Sequence, residues 1–444
     1  MKIRKKHNKP RVMQVAASGL LLVGLAVNSH AGAIADLTGY DANETSLFKN
    51  NGIVVGGWAN AGITYNASNP ANGFNGPVTF SDRDSEVQLN QLNLFVQRAV
   101  ATEGDSWDFG ARADVMFGSD AIFTQAYGTP AYDVNTGAAN GSRGNWDLNL
   151  LGSGRDNRFY DLALPQMYLE AYVPVGNGLN VKVGRFYTAI GYETVPAPDN
   201  FFYSHAYTMQ YGEPFTHTGI MTNYTVNQNW TIMNCAITGG GTGGWDGSFN
   251  NGVGNWAWKP GVTWTSDDKG TSFTANGTVG ATSERNNATW AMYSLVAKHN
   301  ITEKTHLVLQ HDHGFADNVA VGGNSVNAEW YGVNMHLTYD VRDDLTAGIR
   351  TEWFRDQNGF RVWSPGRIAA ATDNTGYSYA GSTGSASAPT SYYAVTAGLN
   401  WKPMGKKWLN IRPNVRYDWA DGSRPFGNQK QDQFLFSTDF SVTF

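Results

Sequence analysis

A single cysteine, Cys235, is present in the sequence, so no intrachain disulfide can brace the fold and thiolate metal clusters are excluded with it. Charge is also scarce, with Asp, Glu, Lys and Arg together at 16% against about 25% in ordinary globular chains. Past residue 31 no apolar run reaches the roughly 20 residues that a membrane-spanning helix requires. Pro- or Ser-rich linkers are missing as well, which argues against division into several soluble domains. A basic surface is lacking too. The first 31 residues hold six of the 32 Lys and Arg and none of the 37 Asp and Glu, so the remainder carries 26 against 37, a net charge of −11. That balance opposes nucleic acid as a partner.

What is abundant is aromatic and flexible. Aromatic residues make up 13%, with 15 Trp, beside 51 Gly. Lys2, Arg4, Lys5, Lys6, Lys9 and Arg11 form a basic head, followed by an apolar stretch from Val15 to Val27 and small residues at Ala31 and Ala33. This three-part order predicts a secretory signal peptide over 1–31, cleaved after Ala31 or Ala33. A short periplasmic segment, 32–52, then leads into a single barrel unit, 53–444.

Alternation with a period of two recurs along that unit, the pattern of strands with two unlike faces. Between 409 and 419, Leu409, Ile411, Pro413, Val415, Tyr417 and Trp419 share one face, and Asn410, Arg412, Asn414, Arg416 and Asp418 the other. Trp107 to Phe117, Met167 to Val173, Tyr331 to Tyr339 and Tyr393 to Trp401 repeat it, with aromatics at the ends of the apolar faces as in interfacial girdles. Sixteen strands are expected near 53–64, 88–101, 106–118, 164–174, 178–188, 216–226, 229–239, 256–265, 270–282, 289–299, 304–314, 326–341, 344–356, 390–402, 408–420 and 432–444. Short turns such as Gly176-Asn177 and Arg342-Asp343 alternate with long connections, notably 65–87, 119–163, 189–215, 240–255 and 357–389. The expected fold class is all-β, a transmembrane antiparallel β-barrel with short periplasmic turns and long external loops in the outer membrane of a Gram-negative bacterium. Closure follows from physics, since in lipid every backbone N–H and C=O needs a partner within the protein. The terminal Phe444 ends the last strand and fits a recognition signal for the barrel assembly machinery. Outer-membrane lipid and lipopolysaccharide are then the surroundings.

Val183-Gly184-Arg185-Phe186, Asn200-Phe201-Phe202-Tyr203-Ser204-His205 and Pro214-Phe215-Thr216-His217-Thr218-Gly219 resemble the OmpL-like β-barrel porin family, over roughly Val54 to Phe444. The resemblance implies an outer-membrane barrel and passive transport. It carries over no catalytic residues and no cofactor.

Inward-facing charges are the candidate pore lining: Asp108, Arg112, Asp114, Glu170, Arg350, Glu352, Arg412, Arg416 and Asp418. Lumen charges tune selectivity where they stand near a constriction, and otherwise only keep the interior wet. The loop 189–215 is far more apolar than a solvent-washed loop. Its Phe201, Phe202, Tyr203, His205, Tyr207 and Tyr211 are expected to fold into the lumen as a constriction facing Arg112, Arg350, Arg412 and Arg416. His306, His311 and His313 do not share one strand face, so no metal site is expected. Ser204 and His205 are adjacent on the chain and point apart, so no catalytic pair is expected. Neither Ser153-Gly154-Arg155 nor the run Gly239 to Gly244 has the ending of a phosphate loop. The leading expectation is passive diffusion of small hydrophilic solutes or ions. A channel specific for a sugar, organic acid or metal ion, and a plugged structural or adhesive barrel, are the alternatives. Monomer and homotrimer both stay open.

Overall fold

The computed structural model describes residues 32–71, 73–124, 160–238, 245, 256–281, 288–362 and 388–444. Sixteen antiparallel strands close into one barrel. They are β1 (Ile53–Asn66), β2 (Val87–Arg98), β3 (Asp108–Gly118), β4 (Asp161–Ala163 continuing as Met167–Val173), β5 (Leu179–Tyr187), β6 (Thr216–Thr225), β7 (Trp230–Thr238) and β8 (Trp256–Thr265). Then come β9 (Thr271–Ala281), β10 (Thr289–Asn300), β11 (Thr305–Val321), β12 (Asn324–Arg342), β13 (Leu345–Asp356), β14 (Thr390–Trp401), β15 (Leu409–Ile411 continuing as Asn414–Asp421) and β16 (Asp432–Thr443). Each strand pairs with its sequence neighbours, and β16 returns to β1 from Trp58↔Thr443 to Asn66↔Leu435. At the seam Gly57 and Phe444 exchange both backbone hydrogen bonds, at 2.8 and 2.9 Å. A Cβ on Gly57 would reach within 2.8 Å of the Phe444 ring, so the tight approach needs glycine.

Alternation sorts the two faces. Leu94, Val96, Val115, Leu169, Val183, Ile232, Leu309 and Val333 are exposed on the outer face. Aromatic rows bound it: Tyr393 stacks on Trp419 at 5.2 Å and 7°, and Tyr331 meets Trp353 edge-on at 5.5 Å. Among the described residues no helix is long and apolar enough to cross a membrane, so any crossing uses strands.

Two of the expected strands are interrupted. Pro165 and Pro413 stand in the gaps of β4 and β15, where a residue without an N–H cannot extend the ladder. The connection expected at 315–325 is instead a continuation of β11 and β12. They extend to a two-residue turn, Gly322-Gly323, with φ +56° and +81°, the backbone that primed hairpin turns demand. The connection 65–87 is also unlike the external loop expected: Asn75, Val78, Thr79, Phe80 and Ser81 are buried inside the barrel. The segments 1–31, Ser153-Gly154-Arg155 and Gly239 to Gly244, with most of the connections 119–163, 240–255 and 357–389, lie outside the described residues.

Residues 32–52 form two short helices, Ala33–Thr38 and Ser46–Lys49. They clasp the short-turn end beside the seam. The Asp36 carboxylate accepts from Lys406 Nζ at 2.6 Å and Trp408 Nε1 at 3.0 Å. Asn43 pairs with both the N–H and the C=O of Val55.

Candidate permeation site

Inside the barrel, the segment 189–215 leaves β5, crosses the lumen and rejoins the wall at β6. Its sequence cannot form a regular element: Pro196 caps and Pro198 sits within a single 3-10 turn, Ala197–Asp199, and Thr208–Gly212 forms one widened helical turn. Burial holds it instead. Phe202, Tyr203, His205, Tyr207, Met209 and Tyr211 are buried, and Phe201 is half-buried. Glycines on the wall admit the rings. A Cβ at Gly62 would lie 2.6 Å from the Tyr203 ring, and one at Gly348 2.4 Å from the Phe201 ring.

Arginines on the wall supply the polar tether. Arg350 Nη1 donates to Glu193 Oε1 at 2.6 Å and to the Ser204 carbonyl at 2.7 Å. Arg412 Nη1 donates to the carbonyls of Ala197 and Asn200, at 2.6 and 2.7 Å, while its Nε reaches Asp439 at 3.0 Å. Arg416 Nη1 donates to the His205 carbonyl at 2.9 Å and lies 3.0 Å from Glu352 Oε1. Its Nε donates to Asp418 at 2.8 Å, and Tyr207 Oη donates to the same carboxylate at 3.0 Å. The Tyr207 N–H donates to Glu352 at 2.5 Å. Further round the wall, Gln91, Asn90 and Asn334 bond Ala197, Tyr203 and Thr208.

Of the candidate lining charges, Arg350, Glu352, Arg412, Arg416 and Asp418 therefore meet on one wall with the loop. Arg112 stands apart from it: its guanidinium grips Asp114 at 2.6 Å, donates to Gln97 and covers the Phe95 ring at 4.2 Å. Asp108 sits at the short-turn lip, paired with Arg98 at 2.8 Å, and Glu170 lies in register with Lys182. A same-face pairing recurs, since residues two apart on a strand are neighbours: Arg112 with Asp114, Arg350 with Glu352, Arg416 with Asp418. That spacing is readable in sequence, and it marks these arginines as neutralised by their own strands.

Two contributions were not anticipated. Residues 75–81 fold onto the loop: Thr79 donates from N and Oγ1 to Gln210 at 2.6 and 2.8 Å, Tyr211 Oη donates to the Pro77 carbonyl, and Phe80 packs on Phe123, His205 and Phe215. The apolar Phe74, Val78 and Phe80 inside a polar connection were the available signal. Lys182, Lys259 and Lys298 face inward as well, on β5, β8 and β10.

The other candidates separate. His311 and His313 stand on the outer face around Tyr293, whereas His306 pairs with Asp340 at 3.2 Å. Among the described residues no cluster of three or more metal-ligating side chains occurs. Ser204 Oγ accepts from Arg350, and His205 Nδ1 lies 3.4 Å from Glu193, so the two side chains serve different partners.

Comparison with known proteins gives one family. The sequence profile of the family described as "Putative beta-barrel porin-2, OmpL-like" matches residues 52–444. No curated protein matches the chain. Among solved structures, Pseudomonas putida OprB is 12% identical with a TM-score of 0.54, covering 90% of this chain and 96% of that one. The outer membrane channel DcaP of Acinetobacter baumannii is 11% identical at a TM-score of 0.51, with 88% and 97% covered. An anion-selective porin from Comamonas acidovorans is 11% identical at 0.51, with 88% and 99% covered. At such identities these likenesses show the fold alone.

Proposed function

Since the chain belongs to the OmpL-like β-barrel porins of the outer membrane, we propose that it passes small hydrophilic solutes or ions down their gradients through a lumen narrowed by the loop 189–215. One observation carries this reading: the loop is tied across the inside of the barrel by Arg350, Arg412 and Arg416 rather than projecting from it. An unobstructed sixteen-stranded barrel would leave a wide aqueous channel. Narrowing brings wall charges within a Debye length, about 8 Å at physiological salt, of a passing ion. The reading assigns no chemistry to the chain. It holds for a monomer and for a homotrimer alike, because the passage lies within one chain.

We also place the signal-peptide cleavage after Ala31. Ala33 is buried, and Gly32 lies so close to the last residue that a Cβ there would meet Phe444 Cα at 2.5 Å. Cleavage after Ala33 would remove both contacts.

Planar-bilayer recording tests the channel. Deleting 197–209 is expected to raise single-channel conductance and weaken ion selectivity. Unchanged conductance would put the constriction elsewhere, and no conductance in the intact protein would favour a plugged structural barrel.

A further inference from the structure

On the outside of the barrel, β9–β13 carry three successive outward rows that differ in kind. The lowest runs in register through Phe273, Ala297, Leu309, Met335 and Thr351. The next runs through Leu295, His311, Val333 and Trp353. Ala297 and Thr351 are short beside Phe273, Leu309 and Trp353, and these two rows enclose an open groove of about 560 Å³. It lies in the band that faces lipid. The third row, towards the long external connections, is Tyr293, His313, Tyr331, Arg355 and Ser391. That row is polar.

Arg355 is the charge that stands out. It alternates with the buried Phe354 and Asp356 and so points outward, two residues above Trp353 at the upper end of the groove. Arg112, Arg350, Arg412 and Arg416 each grip a carboxylate, whereas Arg355 donates from Nε to Gln357 at 2.9 Å and from Nη1 to Ser391 Oγ at 3.3 Å. Among the described residues no carboxylate oxygen lies within 4.0 Å of it. Glu329 is engaged by His313 Nε2 at 2.7 Å, and Tyr293 Oη bridges His313 and His311. A guanidinium binds phosphate through paired donors, and basic side chains at the headgroup level are how membrane proteins select anionic lipids. A cation without an acid, set above an apolar groove on the lipid face, matches a phosphate joined to an acyl chain. The row stands in the external leaflet, which in a Gram-negative outer membrane is built of lipopolysaccharide. We propose that the outer face of β9–β13 binds one lipid A unit of lipopolysaccharide, with Arg355 holding a phosphate and an acyl chain seated in the groove. The site lies outside the lumen and does not depend on the channel reading.

Native mass spectrometry of the full-length folded barrel, released from detergent after addition of lipid, counts the copies bound. Bisphosphorylated lipid A is the probe, and dephosphorylated lipid A, phosphatidylethanolamine and phosphatidylglycerol are the comparisons. One copy of bisphosphorylated lipid A is expected to be held more tightly than any of the three. Arg355→Gln should weaken it about fivefold, the factor for one unit charge at roughly 4 Å in water, and leave dephosphorylated lipid A as it was. Arg355→Lys should recover part of the loss. Ala297→Trp fills the groove and should weaken both forms of lipid A, whereas Val183→Trp on the outer face of β5 and Lys304→Gln in a periplasmic turn should weaken neither. Should Ala297→Trp fail to show the heat-modifiable folded band, Thr351→Leu carries the groove test. Equal binding of the two forms of lipid A, or unaltered binding in Arg355→Gln, overturns the role of the arginine. Unaltered binding in the groove-filling variants overturns the groove. Either phospholipid bound as tightly as lipid A overturns the choice of lipid. A multimer that Ala297→Trp dissociates, with lipid binding unchanged, would make this face a contact between copies of the chain and overturn the lipid site.

Discussion

On the wall formed by β13 and β15, Arg350, Arg412 and Arg416 each reach a carboxylate and a backbone carbonyl of the crossing loop. On the facing wall of β5 and β8, Lys182 and Lys259 rest on a tyrosine ring and a thioether. The difference follows from the side chains. A guanidinium offers five donors in a planar fork and can bind an acid and a carbonyl together, which suits a tether. An ammonium is a flexible point charge that can follow a mobile ligand. Cations of one sign thus sit in two settings in one barrel, tied into ion pairs and loop carbonyls on one side and packed on a ring and a thioether on the other.

Removing an arginine should break this contrast most severely. Arg416→Met leaves Asp418 buried without its arginine and Glu352 with Arg350 alone, and truncating one member of a buried ion pair costs about 3–5 kcal/mol. The expected readout is a lower temperature for conversion of the folded band to the unfolded one on gels, with a noisier current. Lys259→Met should leave that temperature unchanged or raise it, because it removes a buried charge that has no carboxylate beside it among the described residues. Comparable losses from both would erase the distinction between the walls.

A milder change sharpens it. Gly62→Ala drives a methyl group into the Tyr203 ring, and overpacking of this kind costs about 1–3 kcal/mol. The loop should shift while the wall of β5 and β8 stays in place, so single-channel conductance should change. The smallest effect is expected outside the lumen. Hydrogen bonds from Lys406 and Trp408 hold the Asp36 carboxyl below its usual range. A lowered folded value means that the contribution is complete above the ordinary carboxylate pKa and is lost only as pH falls through the lowered one. Protease cleavage near Gly39 should therefore stay slow from neutrality to about pH 5, still above the usual carboxylate value, and rise only in stronger acid. Asp36→Asn should speed it at every pH without altering the current.

Strand positions were legible because a membrane strand must alternate over a fixed length, and the sixteen expected segments match the sixteen observed strands closely. The exceptions have local causes. Gly322-Gly323 turns the chain so tightly that β11 and β12 run on past Gly314, and Pro165 and Pro413 break two ladders. Residue loops were harder. Proline and aromatic density marked 189–215, but nothing in the order of residues says which wall the loop meets. Arg350 and Arg416 were visible as inward charges, and their own-strand acids two positions away were the clue to their structural role. The significance of Lys182 and Lys259 depends on residues brought beside them by pairing across five strands, which no local pattern encodes.

The seam has a consequence for how the channel is made. Asn60 on β1 donates to Asp439 on β16, a partner 379 positions away, and Phe444 supplies the last backbone pair. Contacts this distant in sequence form late, because the intervening chain must first be ordered. Arg412 and Asp439, which grip each other and the crossing loop, both belong to the final two strands. Until the bore closes, the loop is held by Arg350 and its own packing, and it acquires its last anchor only as the first and last strands meet. Closure of the wall and setting of the aperture are therefore one event: a chain truncated before β15 would lose the edge that seals the barrel and the arginine that fixes the width of its passage.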